Sequence, residues 1–497
     1  MTTKQTFWRT FAITVAMLLT MPATLWADSN RLSAVLSHGD NVTVFIGTDC
    51  FANAMDAAEY GDIITLSPGE FQNGNINKSG ITIFGAGYED NDTLGIGKTS
   101  FDSGITIASS SLLKNLYIEG LWTKYIYSSN KMGIEYLTIS RCSFYKSRPY
   151  SDPTIYFNSN INNKEILYTT ISECIDVNFQ SPCNQQGLEF LNSVVLDYYG
   201  NNFGYNRPLF RWCVFPRYIS FSYSAEETSA DFSHCIFSCT ADTEGTLTLS
   251  REYVGAGSLV MLSLYVNSND FPSDVTLRNC IQMDRDEIFA DAQNGFYTPE
   301  RTYALKHPDN ATLYGVEVGI NGMYGWSKVP SGPKVTDLQV AVEEQTLMVD
   351  YDSEVVPVSM NLTHVTNSVT PHAGTISHYA YWIDDNADNL VNVAADAFNG
   401  HIEIDVASLS AGEHTLSWMV RDANGAWSQI KTKTFSIDKY VPDDVNGDGQ
   451  VSIADVTTLI DALLSSTESI SNGDVNGDGK ASVADITTLI DHLLGNN

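Results

Sequence analysis

Short runs of alternating apolar and polar residues recur along the middle of the chain. Alternation with a period of two is typical of β-strands that bury one face. Six of these runs end on a small or thiol-bearing residue, in steps of 32, 19, 20, 22 and 45 residues: Leu137–Cys142, Thr169–Cys174, Leu188–Ser193, Pro208–Cys213, Ala230–Cys235 and Val275–Cys280. The repeating unit is therefore about 20 to 22 residues long, with one inserted loop and one double step.

A repeat of this length, built from strands without intervening helices, predicts a solenoid of the parallel β-helix type. Stacked coils place equivalent residues about 4.8 Å apart, so the recurring Cys and Ser residues form an internal ladder. We interpret these thiols as buried packing groups rather than as disulfides or nucleophiles, since free cysteine is among the most buried residue types. Three cysteines fall outside the ladder and could pair: Cys50, Cys183 and Cys239.

The start of this region predicts a cap for the first coil. Phe51, Ala54, Met55 and Ala58 recur at helical spacing, and the segment Gly61–Phe71 then reads as turn, strand and turn. Through this helix, this opening and the coil repeat, residues 42 to about 330 resemble the pectin-lyase-like superfamily. The resemblance implies a right-handed parallel β-helix.

The next hundred residues predict a β-sandwich. Strands and turns alternate from Val335 to Asp438, after a segment of linker composition at Lys328–Lys334. The run Gly412–Ser428 resembles Ig-like modules of secreted bacterial proteins, and we interpret the module as a spacer. His414 and Trp427 lie in this region and either face a ligand or, as is more common for such residues, pack within the module.

Two copies of one twelve-residue loop, Asp444–Asp455 and Asp474–Asp485, each open an amphipathic helix near the end of the chain. Calcium takes six to eight hard oxygen ligands, and a loop of this length supplies them from positions 1, 3, 5, 7, 9 and 12, with a backbone carbonyl at position 7. The sequence therefore predicts two calcium ions, held by Asp444, Asn446, Asp448, Gln450, Ser452 and Asp455 and by Asp474, Asn476, Asp478, Lys480, Ser482 and Asp485.

The two loop-helix repeats of residues 440–497 resemble a type I dockerin. Position 12 is Asp rather than the Glu of an EF-hand, no amphipathic helix precedes either loop, and each exit helix carries an apolar stripe. The resemblance implies that the module binds a cohesin and attaches a secreted protein, most often a polysaccharide-degrading enzyme, to a scaffold or cell surface. Partner choice in the family depends largely on loop positions 10 and 11. Here these are Ile453-Ala454 and Val483-Ala484 instead of a hydroxyl pair, so the cognate cohesin stays open.

Charge and the N-terminus indicate an exported protein. The net charge of −32 argues against nucleic acid or an anionic membrane surface as a partner. Residues 1–27 have the anatomy of a signal peptide, and its apolar core is too short to span a membrane. We expect a secreted or surface-associated protein, mainly β, with no membrane insertion after cleavage. Its modules are a β-helix at 28–332, an Ig-like sandwich at 333–438 and a small α-helical dockerin at 439–497.

Most candidate catalytic residues come from two regions rich in aromatic residues, 144–156 and 197–212, which suit the binding of a glycan; Asp176 lies between them. We consider Lys146 and Arg148 as cation or base for β-elimination, and pairs among Asp152, Asp176 and Asp197 as the carboxylates of a hydrolase, with Arg207 nearby. The signature motifs of polygalacturonases, pectin methylesterases and pectate lyases are missing from the sequence. The β-helix is thus either a polysaccharide lyase or glycoside hydrolase acting on O-glycosyl bonds, or the non-catalytic stalk of a surface adhesin.

Overall fold

A computed structural model describes most of the chain between residues 32 and 495, in ranges that follow. They are 32–72, 74–88, 97–129, 133–144, 153–157, 166–181, 185–200, 208–215, 230–237, 259–261, 263–265, 275–282, 312–313, 316–317, 332–356, 375–395, 399–437, 442–448, 450–465 and 472–495. The predicted signal peptide, Cys183 and Cys239 lie outside these residues.

One helix and twenty-eight strands are described up to residue 317. The helix, α1, is Cys50–Ala57. The strands up to Phe157 are β1 (Ser33–His38), β2 (Asn41–Ile46), β3 (Ile63–Leu66), β4 (Gly69–Glu70), β5 (Gly74–Ile76), β6 (Thr82–Phe84), β7 (Thr99–Phe101), β8 (Ile105–Ile107), β9 (Leu113–Glu119), β10 (Trp122–Thr123), β11 (Ile126–Ser128), β12 (Ile134–Ser140), β13 (Ser143–Phe144) and β14 (Ile155–Phe157). The remaining ones are β15 (Ile166–Ser172), β16 (Val177–Ser181), β17 (Gln185–Leu191), β18 (Val195–Gly200), β19 (Leu209–Arg211), β20 (Val214–Phe215), β21 (Asp231–Ser233), β22 (Ile236–Phe237), β23 (Leu259–Met261), β24 (Leu264–Tyr265), β25 (Thr276–Arg278), β26 (Ile281–Gln282), β27 (Thr312–Leu313) and β28 (Val316–Glu317).

Strands β3 to β26 form a stack of parallel coils, which we call the coil stack. Successive strands visit one sheet after another, so that β3, β6, β9, β12 and β15 lie side by side in one long sheet, named sheet A. Sheet A continues through β17, β19, β21, β23 and β25, and every pairing from β3 onward is parallel. The hairpin of β1 and β2 adds two antiparallel strands at its start. The chain is mainly β, as expected.

The coil interior is filled by residues in register. Ile118, Ile139, Ile171, Phe190 and Phe210 occupy one position on consecutive strands and are at most 1% exposed. Phe190 and Phe210 stack with ring centroids 4.7 Å apart, close to the rise of one coil. Stacked aromatic rings therefore continue the core from coil to coil.

The predicted cysteine ladder is present inside the stack. Cys142, Cys174, Cys213 and Cys235 are fully buried free thiols, and each Sγ donates to a carbonyl two residues earlier. Cys50, which the sequence left open as a disulfide partner, is also a buried free thiol, in α1. Burial raises the pKa of the Cys50 thiol to about 11, so the thiol is not a nucleophile at neutral pH.

Residues 332–437 form a module of two antiparallel sheets, which we call the β-module. Its strands are β29 (Gly332–Glu343), β30 (Thr346–Val356), β31 (Ile376–Ile383), β32 (Val391–Ala394), β33 (Asn399–Asp405), β34 (Gly412–Asp422) and β35 (Lys431–Ile437). One sheet has the order β29-β30-β33 and the other β32-β31-β34-β35, with Trp418 fully buried in the core. Strand β29 begins inside the segment expected to be a linker; Pro333 is tolerated because β29 is an edge strand.

The β-module packs against the start of the coil stack. Val35, Val42 and Val44 of the β1–β2 hairpin pack against Trp382, Met419 and Trp427 of the β-module. Trp427 is 3% exposed and donates from Nε1 to Ser37 Oγ at 2.8 Å, so it faces the hairpin rather than a ligand. His414 is buried between Asp384 and the Ser410 carbonyl and also faces no ligand.

The C-terminal end consists of two loop-helix repeats with helices α2 (Ile453–Leu464) and α3 (Val483–Leu493). A small apolar core joins the helices through Val456, Leu459 and Leu489. None of the helices among the described residues has the length and apolar character needed to cross a membrane.

Candidate metal centre and candidate active site

The first C-terminal loop gathers three carboxylates at one point. Carboxylate oxygens of Asp444, Asp448 and Asp455 all lie within 4.8 Å of one another. Asp448 is exposed, whereas Asp444 and Asp455 are at most 2% exposed. Three carboxylates at this distance repel one another unless a cation lies between them. The donor set consists of hard oxygens and fits calcium.

Backbone N–H groups hold the position-12 carboxylate ready for a cation. Asp455 Oδ1 accepts from the N–H groups of Val445 and Asn446 at 2.9 and 3.0 Å, and Oδ2 accepts from Ser452 N at 2.8 Å. Burial by itself raises the pKa of Asp455, but the backbone hydrogen bonds, above all from Asn446, outweigh it and lower the pKa below its ordinary value. The group therefore stays ionised across the physiological pH range.

The second loop repeats this arrangement. Asp485 accepts from Asn476 N at 3.0 Å and from Ser482 N at 2.7 Å, and its pKa is likewise lowered, since hydrogen bonds from Asn476 and Ser482 outweigh burial. Asp474 accepts from the N–H groups of Asp478 and Gly479 at 2.9 and 2.7 Å. The two loops thus share the backbone hydrogen bonds to the carboxylates at positions 1 and 12, whereas Asp444 is buried and Asp474 is exposed.

The remaining predicted ligands lie in the same turns. Asn446 Oδ1 accepts from Asp448 N, and Asn476 Oδ1 accepts from Asp478 N. The residues at position 7, Gln450 and Lys480, donate their N–H to the carboxylate at position 5, as the tight turn requires.

The two serines at loop position 9 have a second task. Ser452 Oγ and Ser482 Oγ each accept from a helix N–H at 3.1 Å, and the carboxylate at position 12 accepts from the backbone N–H of the serine, which makes a capping box. Each hydroxyl also donates to this carboxylate. A ligand role at this position would therefore run through a water molecule, as is frequent in such loops.

Contacts between the repeats make them one unit. Asn472 of the second repeat donates to the Asp444 carbonyl at 2.9 Å, and His492 Nδ1 lies 2.6 Å from Asp443 Oδ2. The position-10 residues Ile453 and Val483 are 74% and 72% exposed, which is unusual for branched apolar side chains.

Residues 442–494 match the dockerin type I domain family. We therefore call this part of the chain the dockerin. Type I dockerins bind calcium and dock to cohesins in assemblies of the cellulosome kind, so the predicted cohesin partner is supported, and proteins that carry them are typically secreted. The family match covers this module and not the rest of the chain.

Comparisons of the whole chain are weak. No curated protein matches it. Among solved structures, wild-type OgpA from Akkermansia muciniphila has 14% identity and a TM-score of 0.16 over 37% of this chain and 66% of that chain. The Clostridium perfringens spore cortex lytic enzyme SleM has 11% identity and a TM-score of 0.16 over 45% and 80% of the two chains. Likenesses of this size carry no argument about the activity of the coil stack.

Most of the predicted catalytic residues lie outside the part of the chain that the structure describes. Lys146, Arg148, Asp152 and Arg207 lie outside the described residues, as does the side chain of Asp197, whose backbone belongs to β18. Asp176 is 5% exposed at a coil corner with φ of 57°, where its carbonyl accepts from Thr154 Oγ1.

Three buried charged residues lie together where strands β9, β12 and β15 of sheet A end. Arg141 lies between two carboxylates, with Nη1 3.3 Å from Glu119 Oε1 and Nε 3.3 Å from Glu173 Oε2. Tyr117 donates to Glu119 Oε2 at 2.5 Å. Glu119, Arg141 and Glu173 come from three consecutive coils and are 2%, 4% and 3% exposed. We call these three residues the charge row.

One carboxylate of the charge row is poised to hold a proton. Burial raises the pKa of Glu173 to about 7, against the lowering effect of Arg141 and with a further increase from Glu119. Within the described part of the chain, Glu173 Oε1 has no hydrogen-bond partner. A carboxylic acid with a raised pKa of this kind is a candidate general acid.

Sequence reasoning missed the charge row although a signal was present. Arg141 and Glu173 each stand directly before a ladder cysteine, at corner positions with φ of 51° and 52°. The same corner holds Asn192, Trp212, His234 and Asn279 on later coils, all with positive φ. In the repeat alignment, the position before each cysteine already places two opposite charges, Arg141 and Glu173, on adjacent coils.

Some tyrosine rings on the coil stack pack against each other rather than standing open to a ligand. Tyr156 stacks on Tyr127 of the neighbouring coil with centroids 5.4 Å apart and an interplanar angle of 11°. Tyr136 and Tyr168 form a similar pair at 5.0 Å. One face of each ring is therefore covered by a ring rather than open to a sugar.

Proposed function

We propose that this chain is a secreted component of a polysaccharide-degrading system. The coil stack, as a right-handed parallel β-helix of the pectin-lyase-like kind, binds or cleaves a glycan, and the dockerin, loaded with two calcium ions, attaches the protein to a cohesin. The proposed boundaries are 1–27 for the signal peptide, 28–332 for the β-helix, 333–438 for the Ig-like module and 439–497 for the dockerin. The observation that carries the proposal is the convergence of Asp444, Asp448 and Asp455 in a dockerin loop.

Calcium has a structural task in this proposal. The ion compensates the mutual repulsion of the loop carboxylates and fixes the start of each exit helix, since position 12 is also part of the helix cap. The exposed Ile453 and Val483 then stand at fixed places on the dockerin surface. Because these residues are apolar, we propose a cohesin whose contact surface is apolar at the matching positions.

The docking test uses the full-length chain and a panel of cohesins immobilised on a biosensor. We expect binding to at least one cohesin in calcium and loss of that binding in chelator. A cohesin that binds equally well in chelator, or a complete panel without binding in calcium, would contradict the proposal. Asp455→Ala removes the position-12 carboxylate of the first loop and serves as the test variant. Asp461→Ala is its matched control, because Asp461 is an exposed helix carboxylate beyond the loop.

For cleavage of a glycan, the charge row supplies a defined chemistry. Glu173 in its protonated form can give a proton to the leaving oxygen, and Glu119, which lies against Arg141, can act as base or nucleophile. The low exposure of all three residues requires that the substrate reach them through an opening of the surrounding surface.

The same burial favours a second candidate function from another class. Buried ion pairs also occur as structural elements, and a coil stack without a catalytic centre suits a non-catalytic surface adhesin. Incubation of the chain with a panel of plant and host glycans separates the two. New reducing ends or unsaturated uronates that disappear in Glu173→Gln support the enzyme, and binding without product supports the adhesin.

A further inference from the structure

Strand β1 of the hairpin is buried on both faces. Ala34 and Leu36 point into the coil core, whereas Val35, between them, packs against the β-module. A strand with alternating contacts on its two sides cannot lose either partner without exposing apolar surface. The β-module therefore supplies half of the environment of the hairpin.

Polar contacts fix the position of the β-module on the hairpin. Trp427 donates from Nε1 to Ser37 Oγ at 2.8 Å and from its backbone N–H to Thr65 Oγ1 at 3.2 Å. Arg421 Nη1 donates to the Gly39 carbonyl at 2.9 Å, and Asn392 Nδ2 donates to the Asp40 carbonyl at 2.7 Å. These bonds join residues more than 350 positions apart in the chain.

The hairpin turn also carries charge into this contact. Asp40 Oδ1 lies 3.6 Å from Arg421 Nη1 and 3.4 Å from His378 Nε2. Since the Asp40 side chain is 82% exposed, its substitution leaves both hydrophobic cores in place.

A turn of the β-module extends the contact onto sheet A. Ala426 packs with Phe84 and Tyr117, and a Cβ added to Gly425 would lie 2.3 Å from Ile63 Cδ1. Gly425 has φ of +93°, so glycine is required both by its backbone and by this close approach. The contact thus reaches Tyr117, whose hydroxyl donates to Glu119 of the charge row.

This contact brings the chain from the last described coil back to the first coil. The β-module follows the last described coil in sequence, yet it lies on the first coil, at the opposite end of sheet A. Nine strand spacings separate β3 from β25, or roughly 43 Å at about 4.8 Å each. The 49 residues from 283 to 331 are long enough for this return, because an extended chain covers about 3.3 Å per residue.

We infer that the β-module is an intramolecular docking partner of the β1–β2 hairpin, so that the chain folds back on itself and the dockerin is tethered, through the β-module, to the first-coil end of the stack. The dockerin loop begins at Asp444, seven residues after the last β-module strand ends at Ile437. A cohesin is then bound at the N-terminal end of the coil stack, and the later coils point away from the point of attachment.

Cleavage of the chain between the coil stack and the β-module tests whether the two parts stay associated. A specific protease site is inserted between Lys328 and Val329 of the full-length protein, and cleavage is followed on a denaturing gel. After complete cleavage at about 10 μM, we expect the two pieces to co-elute as one species of the uncut mass by size exclusion with light scattering. Separate elution of two folded pieces would overturn the inference, as would a species of twice the mass, which would place the contact between two copies.

Charge reversal tests the named contact without disturbing a core. Asp40→Lys places a cation against Arg421 and His378 and should weaken the association of the cleaved pieces by roughly five- to tenfold. Asp56→Lys, on exposed α1 surface, is the matched control and should leave it unchanged. Equal effects of the two variants would show that the association depends on overall charge and would contradict the assigned contact. Trp427→Ala should abolish co-elution, with circular dichroism as the check on folding.

Discussion

The coil stack and the dockerin both bury carboxylates, and they stabilise them in opposite ways. In the charge row, Glu119 and Glu173 share the guanidinium of Arg141, and burial still raises the pKa of Glu173 to about 7. In the dockerin, backbone N–H groups surround Asp455 and lower its pKa. The coil stack thus carries its own cation and tolerates a proton, whereas the dockerin loop keeps its carboxylates ionised for a cation from solution.

This difference extends to what holds each region together. The coil stack has a continuous interior of stacked rings and buried thiols, from Phe101 to Phe237. The dockerin has a much smaller core around Leu459 and Leu489 and has three carboxylates within 4.8 Å of one another. Small domains of this kind depend on metal for a large part of their stability.

Removal of calcium should produce the largest effect and should be confined to one region. In excess chelator, we expect α2 and α3 to lose protection from hydrogen exchange, because the loop carboxylates then repel one another. The coil stack should keep its protection. Peptide-resolved hydrogen exchange on the full chain measures both regions in one sample, and an unchanged α3 in chelator would contradict the comparison.

Substitution of the cation in the charge row should be the next largest effect. Arg141→Met keeps a long side chain but leaves the buried carboxylates of Glu119 and Glu173 without their shared cation. We expect a loss of about 3–5 kcal/mol in the free energy of unfolding at pH 7.5.

Thermal or denaturant unfolding in calcium measures this loss for the coil stack. The double variant Arg141→Met, Glu173→Gln removes one of the two unpaired charges and should recover part of it. Equal stability of Arg141→Met and the parent would show that the row contributes nothing.

The pH dependence of Glu173 should be smaller and has a defined sign. Its folded pKa of about 7 lies above the ordinary 4.5, so folding favours the protonated form. The contribution of Glu173 to the free energy of unfolding, about 3 kcal/mol in total, is fully present below about pH 4.5. It is lost as the pH rises toward 7 and does not change further above that pH. Glu173→Gln removes this part of the pH dependence. If the free energy of unfolding changed by the same amount in parent and variant between pH 4.5 and 8, the assignment would be contradicted.

Loss of an exposed ion pair should produce the smallest change in the free energy of unfolding. Lys114 Nζ lies 2.6 Å from Glu135 Oε2, but the two side chains are 49% and 22% exposed. Glu135→Gln should change the free energy of unfolding by less than about 1 kcal/mol, and by still less in high salt. A change as large as that of Arg141→Met would show that burial does not separate the two pairs.

The features that could be predicted from the sequence are those written in local spacing. The calcium loops were found because all ligands of one ion lie within twelve residues, and the cysteine ladder because equivalent positions recur from coil to coil. Helix α1 was found from Phe51, Ala54 and Met55 at helical spacing.

What could not be predicted depends on contacts between distant residues. Ser37 and Trp427 are 390 residues apart, and nothing in the pattern around either residue indicates the other. Glu119, Arg141 and Glu173 meet only because three coils stack in register, and Glu119 is paired with Ser140, one position before the corner that Arg141 and Glu173 occupy. Long-range docking and register are set by the fold as a whole.

Calcium titration of the full-length chain by calorimetry tests the central claim most directly. We expect two ions per chain, about one in Asp455→Ala, and two in the control Asp461→Ala, because Asp455 is held at position 12 of the first loop and Asp461 lies outside it. No heat of binding in the parent chain, or full binding in a chain that carries both Asp455→Ala and Asp485→Ala, would contradict the role of these loops as calcium sites.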